Sequence, residues 1–444
     1  MRPPAELSSR YSKLLLLALA VAGPAFALQP LGEFLQGARA SNVDQAAAAL
    51  TVTQQEGESM AALGRTLPSF SARGTYTRNQ FESKIDASQF LPPGSPGGGG
   101  DSALVITPLN QLDAYLQVDA PILDASAWAR LSAQHASERA ARQKAAATLL
   151  DVQKQVARSY YQLLGAEALR QSAQRSLEAA QANLELTRTR RAGGVATDLD
   201  VNRATAEVER SRQSISDADL TAELSRRALQ TLTGVAPAGE ATASEDDLHE
   251  EPPLEAFVQQ AGSAVPAVAA AAEQRKSAEA ASLAAQLAWV PSVSASASEH
   301  LTNATGLTGR NSLYMLTGNL RWQLDLTTFG TLKSQSAAAE LARAREQGAR
   351  QAALDALHEA WFRVHNGIAK GRAARAAAVS AQAAVARARE RSLQGAGTQL
   401  ELIQAERDAF TAEVSRVQAD ADLSYARAAL RLQAGHPLDE ESTR

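Results

Sequence analysis

Apolar residues recur along the chain with two different periods. In four short stretches they alternate with polar ones. Phe70, Ala72, Gly74 and Tyr76 oppose Ser71, Arg73, Thr75 and Thr77, and Leu112, Ala114, Leu116 and Val118 oppose Asp113, Tyr115, Gln117 and Asp119. Val293, Ala295 and Ala297 oppose Ser292, Ser294, Ser296 and Ser298, and Tyr314, Leu316, Gly318, Leu320 and Trp322 oppose Met315, Thr317, Asn319 and Arg321. Period two predicts strands with one apolar and one polar face, over about 68–78, 111–121, 291–300 and 312–323. At roughly 9–11 residues each, a tilted strand can cross a bilayer core. Taken singly the pattern is weak, and two soluble hairpins would show it as well.

Elsewhere the spacing is helical. From about 125 to 191 there is no proline and Gly165 is the one interior glycine, so a single Ala-, Leu-, Gln-, Glu- and Arg-rich helix is predicted, near 100 Å long at about 1.5 Å per residue. Residues 332–393 read the same way, and shorter returning helices are expected over 198–233 and 399–434. On the first of these, Val201, Ala204, Val208, Ser211, Ile215, Ala218, Ala222, Ser225 and Leu229 form a heptad seam. Its small residues let helices approach closely, as a thin tube wall requires.

The chain is one unit written twice. GGVATDLDVNRATAEVERSR from Gly193 matches GAGTQLELIQAERDAFTAEVSR from Gly395, pairing Gly194 with Gly395, Thr197 with Thr398 and Asp200 with Glu401. Leu67-Pro68-Ser69 and Val290-Pro291-Ser292 open equivalent strands. The expected organisation is a first repeat over 28–235, a linker over 236–253, a second repeat over 254–436 and a tail over 437–444. The loops LPPGSPGGGG (91–100) and TNATGLTGRN (302–311) are long, as in the outer loops of membrane barrels. The glycine run lacks the Lys-Ser/Thr ending of a phosphate cradle.

The N-terminus adds a compartment. Arg2, Arg10 and Lys13 precede LLLLALAVAG, and Ala25-Phe26-Ala27 supplies the small residues a signal peptidase reads, so 1–27 is read as a signal peptide cleaved after Ala27. That apolar run is about half of the roughly 20 residues a spanning helix needs. A net charge of -4 gives no general attraction to nucleic acid, and a Cys count of 0 removes disulfides, thiol chemistry and a cysteine-borne lipid anchor. Membrane insertion then rests on the strands. Four cannot close a barrel, and an open edge in lipid leaves backbone groups unsatisfied. Copies would have to combine, and three or more leave an aqueous lumen.

The duplicated Leu/Val-Pro-Ser openings, PILDASAW after the second strand, WQLDLTTFG after the fourth and the paired Gly-x-x-Thr turns resemble the TolC-like outer membrane efflux protein family over essentially the whole mature chain. The resemblance implies a mainly α fold with a membrane β-barrel part: a homotrimer whose twelve-stranded barrel stands on a twelve-helix periplasmic tunnel, with the linker and tail at its equator. It implies a passive channel in the outer membrane lipid, without cofactor, working with a periplasmic adaptor (membrane fusion) protein and an inner-membrane transporter of RND, ABC or MFS type. The cargo stays open among drugs, metal ions, metabolites and proteins.

In each turn a Thr followed three residues later by an acid predicts a capping box, and Arg188, Arg190, Arg191, Arg387, Arg389 and Arg391 suit the preceding helix ends. A well-capped hairpin explains each of these residues by itself. Three copies of each turn would also ring the tube's mouth, making Asp198, Asp200 and Glu401 candidate aperture residues, with Gln404 where the family's second acid is expected. By the same resemblance Gly194, Val195, Thr197, Gly395, Ala396 and Thr398 are candidate adaptor contacts. No nucleophile or metal motif points to an enzyme. His358, Glu359 and His365 lack HExxH spacing and read as ordinary helix residues before a metal site. Trp128, Trp322 and Tyr314 fit interfacial anchoring or local packing equally. The rival class is a soluble periplasmic coiled-coil adaptor or scaffold, which would share the leader and the helices.

Overall fold

A computed structural model describes residues 28–86, 103–239, 247–261, 265–306, 309–435 and 438. The proposed leader, the loop at 91–100, residues 240–246 of the linker, residues 307 and 308 and most of the tail lie outside the described residues. The chain forms two compact units. One comprises Met1–Gln45, Leu149–Gly262 and Asp355–Arg444, the other Ala46–Thr148 and Ser263–Leu354.

The second unit holds most of helix α2 (Val43–Gly64), helix α6 (Pro266–Leu287), the first turns of α3 (Ala125–Ala192) and α7 (Leu326–Leu393), and the strands. Strands β1 (Ser69–Arg78), β4 (Asn110–Leu123), β5 (Ser292–Thr302) and β6 (Ser312–Arg321) form one antiparallel sheet in the order β1-β4-β5-β6. The halves of the duplication therefore do not fold as separate hairpins, because β4 pairs with β5 from Asp113↔Thr302 to Leu123↔Val293. A separate small ribbon, β2 (Ser83–Asp86) with β3 (Ala103–Thr107), lies in the chain between β1 and β4, on either side of the expected loop at 91–100.

Register keeps like residues together between β1 and β4, while further across the sheet Glu299 falls between Leu116 and Tyr314 on the apolar face and Leu313 and Met315 fall on the polar one. Phe70↔Val118, Ala72↔Leu116 and Tyr76↔Leu112 share one face, and Ser71↔Gln117, Arg73↔Tyr115 and Thr75↔Asp113 share the other. The apolar face is bare: Tyr314 is 80 % exposed, Leu316 75 % and Leu320 70 %. Among the described residues the outer edges of β1 and β6 carry no further strand. Also among them, no helix is long and apolar enough to cross a membrane.

Each long helix starts on an aspartate. Asp124 Oδ1 accepts the Ala127 amide at 2.8 Å and Asp325 Oδ1 accepts the Thr328 amide at 2.7 Å, so both relieve unpaired N–H groups at a helix start. This corrects the expected start of α7 at about 332, which moves to Leu326. The capping aspartate outweighs Gly330, whose helix-breaking cost is only about 1 kcal/mol.

The first unit is helical. Leu31, Phe34, Leu35 and Ala38 of α1 (Leu31–Ser41) pack on Val152, Val156, Ala157 and Leu163 of α3, Leu229 of α4 (Asp198–Thr233) and Ala428 of α8 (Gln399–Gln433). On α4 the small seam residues Ala204, Val208, Ser211, Ala218 and Ala222 are buried together with Leu229. The segment before α5 (Leu254–Ala261) is strapped on by Arg427, whose Nη1 donates to Glu251 Oε1 at 2.5 Å, and by Trp361, whose indole N–H donates to the Pro252 carbonyl at 2.9 Å. His365 stacks on Trp361 with ring centroids 5.3 Å apart, and Glu359 pairs with Arg363 at 2.6 Å. Trp322 donates its indole N–H to the Trp289 carbonyl at 3.1 Å.

Candidate functional site: the paired helical turns

Both turns between long and returning helices are built alike. Gly194 and Gly395 adopt φ of 76° and 74°, the left-handed region where a Cβ is penalised. Around them the Val195 amide donates to Arg190 O at 2.9 Å and the Gly194 amide to Arg191 O at 2.9 Å. In the second turn the Ala396 amide donates to Arg391 O at 2.9 Å and the Gly395 amide to Ser392 O at 3.2 Å. These are two Schellman closures, each of which satisfies two carbonyls at a helix end.

The returning helices begin on capping boxes. The Asp200 amide donates to Thr197 Oγ1 at 3.2 Å while the Thr197 amide donates to Asp200 Oδ2 at 3.0 Å; for Glu401 and Thr398 the distances are 3.2 and 3.4 Å. Hydrogen bonds from the Thr197 hydroxyl and amide hold Asp200 below the ordinary carboxylate value of 3.8.

The candidate acids are thus engaged locally. Asp198 accepts from Arg191 Nε at 2.5 Å, Asp200 lies 4.0 Å from Arg203, and Glu401 lies 3.9 Å from Arg391. Gln404 is exposed, as are Gly194, Val195, Thr197, Gly395, Ala396 and Thr398. Val195 is 78 % exposed although apolar.

What ties the two turns together is a set of residues the sequence reading did not assign to the site. Arg190 Nη1 donates to Ser392 Oγ at 2.9 Å and Nη2 to the Ser392 carbonyl at 2.7 Å, so a cation of α3 closes the end of α7. Gln399 donates to Asn183 Oδ1 at 2.9 Å, and Asn183 donates to Glu406 Oε2 at 3.4 Å. Further along, Arg407 donates from Nε and Nη2 to Glu207 Oε2 at 2.8 and 2.5 Å. Burial raises Glu406 above the ordinary 4.5, with Glu207 adding to the rise and Arg389 and Asn183 opposing it. Between the four helices lies an open groove of about 520 Å³, lined by these carboxylates and by Arg175, Arg210 and Arg389.

A signal for these contacts exists in the repeat. Ser392, Gln399, Glu406 and Arg407 occupy the places of Arg191, Asp198, Thr205 and Ala206 in the first copy. The cross-contacts fall where the two copies of the motif differ, because each copy faces the other and not itself.

The outer membrane efflux protein family matches residues 34–235 and 257–436 of this chain. No curated protein matches the sequence significantly. Among solved structures, CusC is 17 % identical with a TM-score of 0.78, covering 95 % of this chain and 96 % of its own. The Campylobacter jejuni outer membrane channel CmeC is 15 % identical with a TM-score of 0.77, covering 98 % and 93 %. The Vibrio cholerae outer membrane protein VceC is 18 % identical with a TM-score of 0.75, covering 92 % and 97 %. At such identities the likeness is one of fold, and the long helices with four strands per chain are the fold of these channels. The family match extends over both repeats and both turns, and the chain belongs to the outer membrane efflux protein family.

Proposed function

We propose that three copies of this chain close their sheets into a twelve-stranded barrel and form a passive conduit that carries cargo from an adaptor and an inner-membrane transporter across the outer membrane. The observation that carries this reading is the sheet itself: one bare apolar face, one polar face and two open edges. In water such a face aggregates, and in lipid such edges cost several kcal/mol per unpaired group. Edge-to-edge closure of β6 on the β1 of another copy removes the edge cost, and insertion of the closed barrel in lipid removes the other.

In this reading the paired turns are the mouth of the tube. Asp198, Asp200 and Glu401 line it, with Arg190–Ser392 and Asn183–Gln399 holding the two hairpins of one chain together. The exposed turn residues Gly194, Val195, Thr197, Gly395, Ala396 and Thr398 form the surface on which an adaptor docks. Planar-bilayer recording of the purified protein tests the conduit: discrete conductance steps are expected, and a protein that enters bilayers without conducting overturns it.

A further inference from the structure

The polar face of the sheet holds a charged level that the channel reading does not use. Arg73 of β1, Tyr115 of β4 and His300 of β5 are direct register partners in sequence across three strands. Tyr115 and His300 stack with centroids 4.1 Å apart and planes 6° apart. His300 Nε2 lies 2.8 Å from Asp113 Oδ1. An ionised carboxylate only accepts, so Nε2 carries the proton. Asp113, whose side chain is 8 % exposed, also accepts from Gln111 at 2.9 Å. Its oxygens are therefore shielded from the solvent on this face, whereas Arg73 is exposed and forms no ion pair among the described residues.

The next acid on this face, Asp119, is paired in register with Ser69, four residues from Arg73. That is roughly 13 Å at about 3.3 Å per residue, beyond the Debye length of about 8–10 Å. Arg321 lies in register with Ser292 at the opposite end of the sheet. The flanking positions Ser71, Ser298 and Thr75 are short and neutral, so Arg73 stands out in both length and charge.

We propose that this level is an anion-favouring ring of the barrel lumen: Arg73 supplies the field, His300 covers Asp113, and Tyr115 holds the imidazole in place. The inference rests on reading the sheet as a barrel segment with its polar face inward. It assigns Arg73 as a determinant of which solutes pass, favouring anionic groups, and His300 as a positioning residue.

The natural chain has no cysteine, so a single introduced thiol reports local potential. Thr75→Cys sits two residues from Arg73 and opposite Asp113, and its reaction rates with anionic and cationic methanethiosulfonates are compared in intact outer membranes. The rate ratio should favour the anionic reagent relative to a free thiol. It should fall about tenfold on adding Arg73→Glu, the size expected for reversing a charge roughly 7 Å away inside the screening length, and by an intermediate amount with Arg73→Gln. His300→Ala should lower it by uncovering Asp113, while His300→Gln, which can still donate to Asp113, should not. A ratio indifferent to both Arg73 changes overturns the ring. Ala72→Cys, on the apolar face, should be silent to both reagents; reaction there as fast as at position 75 overturns the barrel reading and the ring with it.

Discussion

Arg190, on the last turn of α3, closes the C-terminal end of α7 by donating to both the hydroxyl and the carbonyl of Ser392, at 2.9 and 2.7 Å. Ser392 is buried, so this is a charge-assisted bond shielded from water, and it joins the two hairpins at their tips.

Arg190→Ala removes the tie, leaves the Ser392 carbonyl with the Gly395 amide as its remaining donor and lets the hairpins part. Single-channel conductance should rise severalfold, with Arg190→Lys intermediate because one ammonium cannot reproduce the forked contact. Conductance unchanged in Arg190→Ala would show that the tips are held elsewhere.

Glu401 tests the acidic ring. Glu401→Ala removes a carboxylate from each copy at the proposed mouth, and conductance should rise while cation preference falls. Its 3.9 Å pairing with Arg391 is looser than the 2.5 Å pairing of Asp198 with Arg191, so Asp198→Ala should change cation preference less.

The capping boxes are separable from gating. Thr197→Ala and Thr398→Ala should each cost about 1 kcal/mol locally. Hydrogen exchange should quicken at the Asp200 and Glu401 amides, while protection in the Leu229 region stays unchanged.

Two carboxylates at this end respond oppositely to acid. Asp200 titrates below 3.8 in the fold, so its stabilisation is complete above that value and fades as pH falls through the depressed one. Glu406 titrates above 4.5 because it is buried, so its ionisation costs stability as pH rises from 4.5 through the raised value, and the cost is absent below 4.5. Glu406→Gln should therefore raise thermal stability at neutral pH and lose that advantage in acid, as melting curves across the range will read.

On the apolar face, Leu316→Arg should block stable insertion, since a cation facing lipid near the midplane costs about 2–4 kcal/mol. Thr317→Arg, one residue along and facing the other way, should insert normally. Membrane extraction with urea separates the two.

Much of this architecture is legible in the residues. Alternation marks the four strands because each has one apolar and one polar face, and the repeat marks both turns because Gly-x-x-Thr encodes a left-handed residue followed by a cap. What escaped is long-range. Nothing local to Asp113 or Thr302 says that β4 and β5 pair, and the β2–β3 ribbon is too short for a period to register. The start of α7 at Leu326 depends on the side-chain cap of Asp325, which composition and spacing do not reveal. The tie of Arg190 to Ser392 joins residues 202 apart in the chain. It shows in the sequence only as a difference between the two copies of a motif.

Copy number tests the central claim most directly. Native mass spectrometry of the detergent-extracted outer membrane protein should give three chains per particle, dissociating to single chains on heating in SDS. A folded, soluble particle of one or two chains would contradict it, since neither can close a four-stranded sheet around an open lumen.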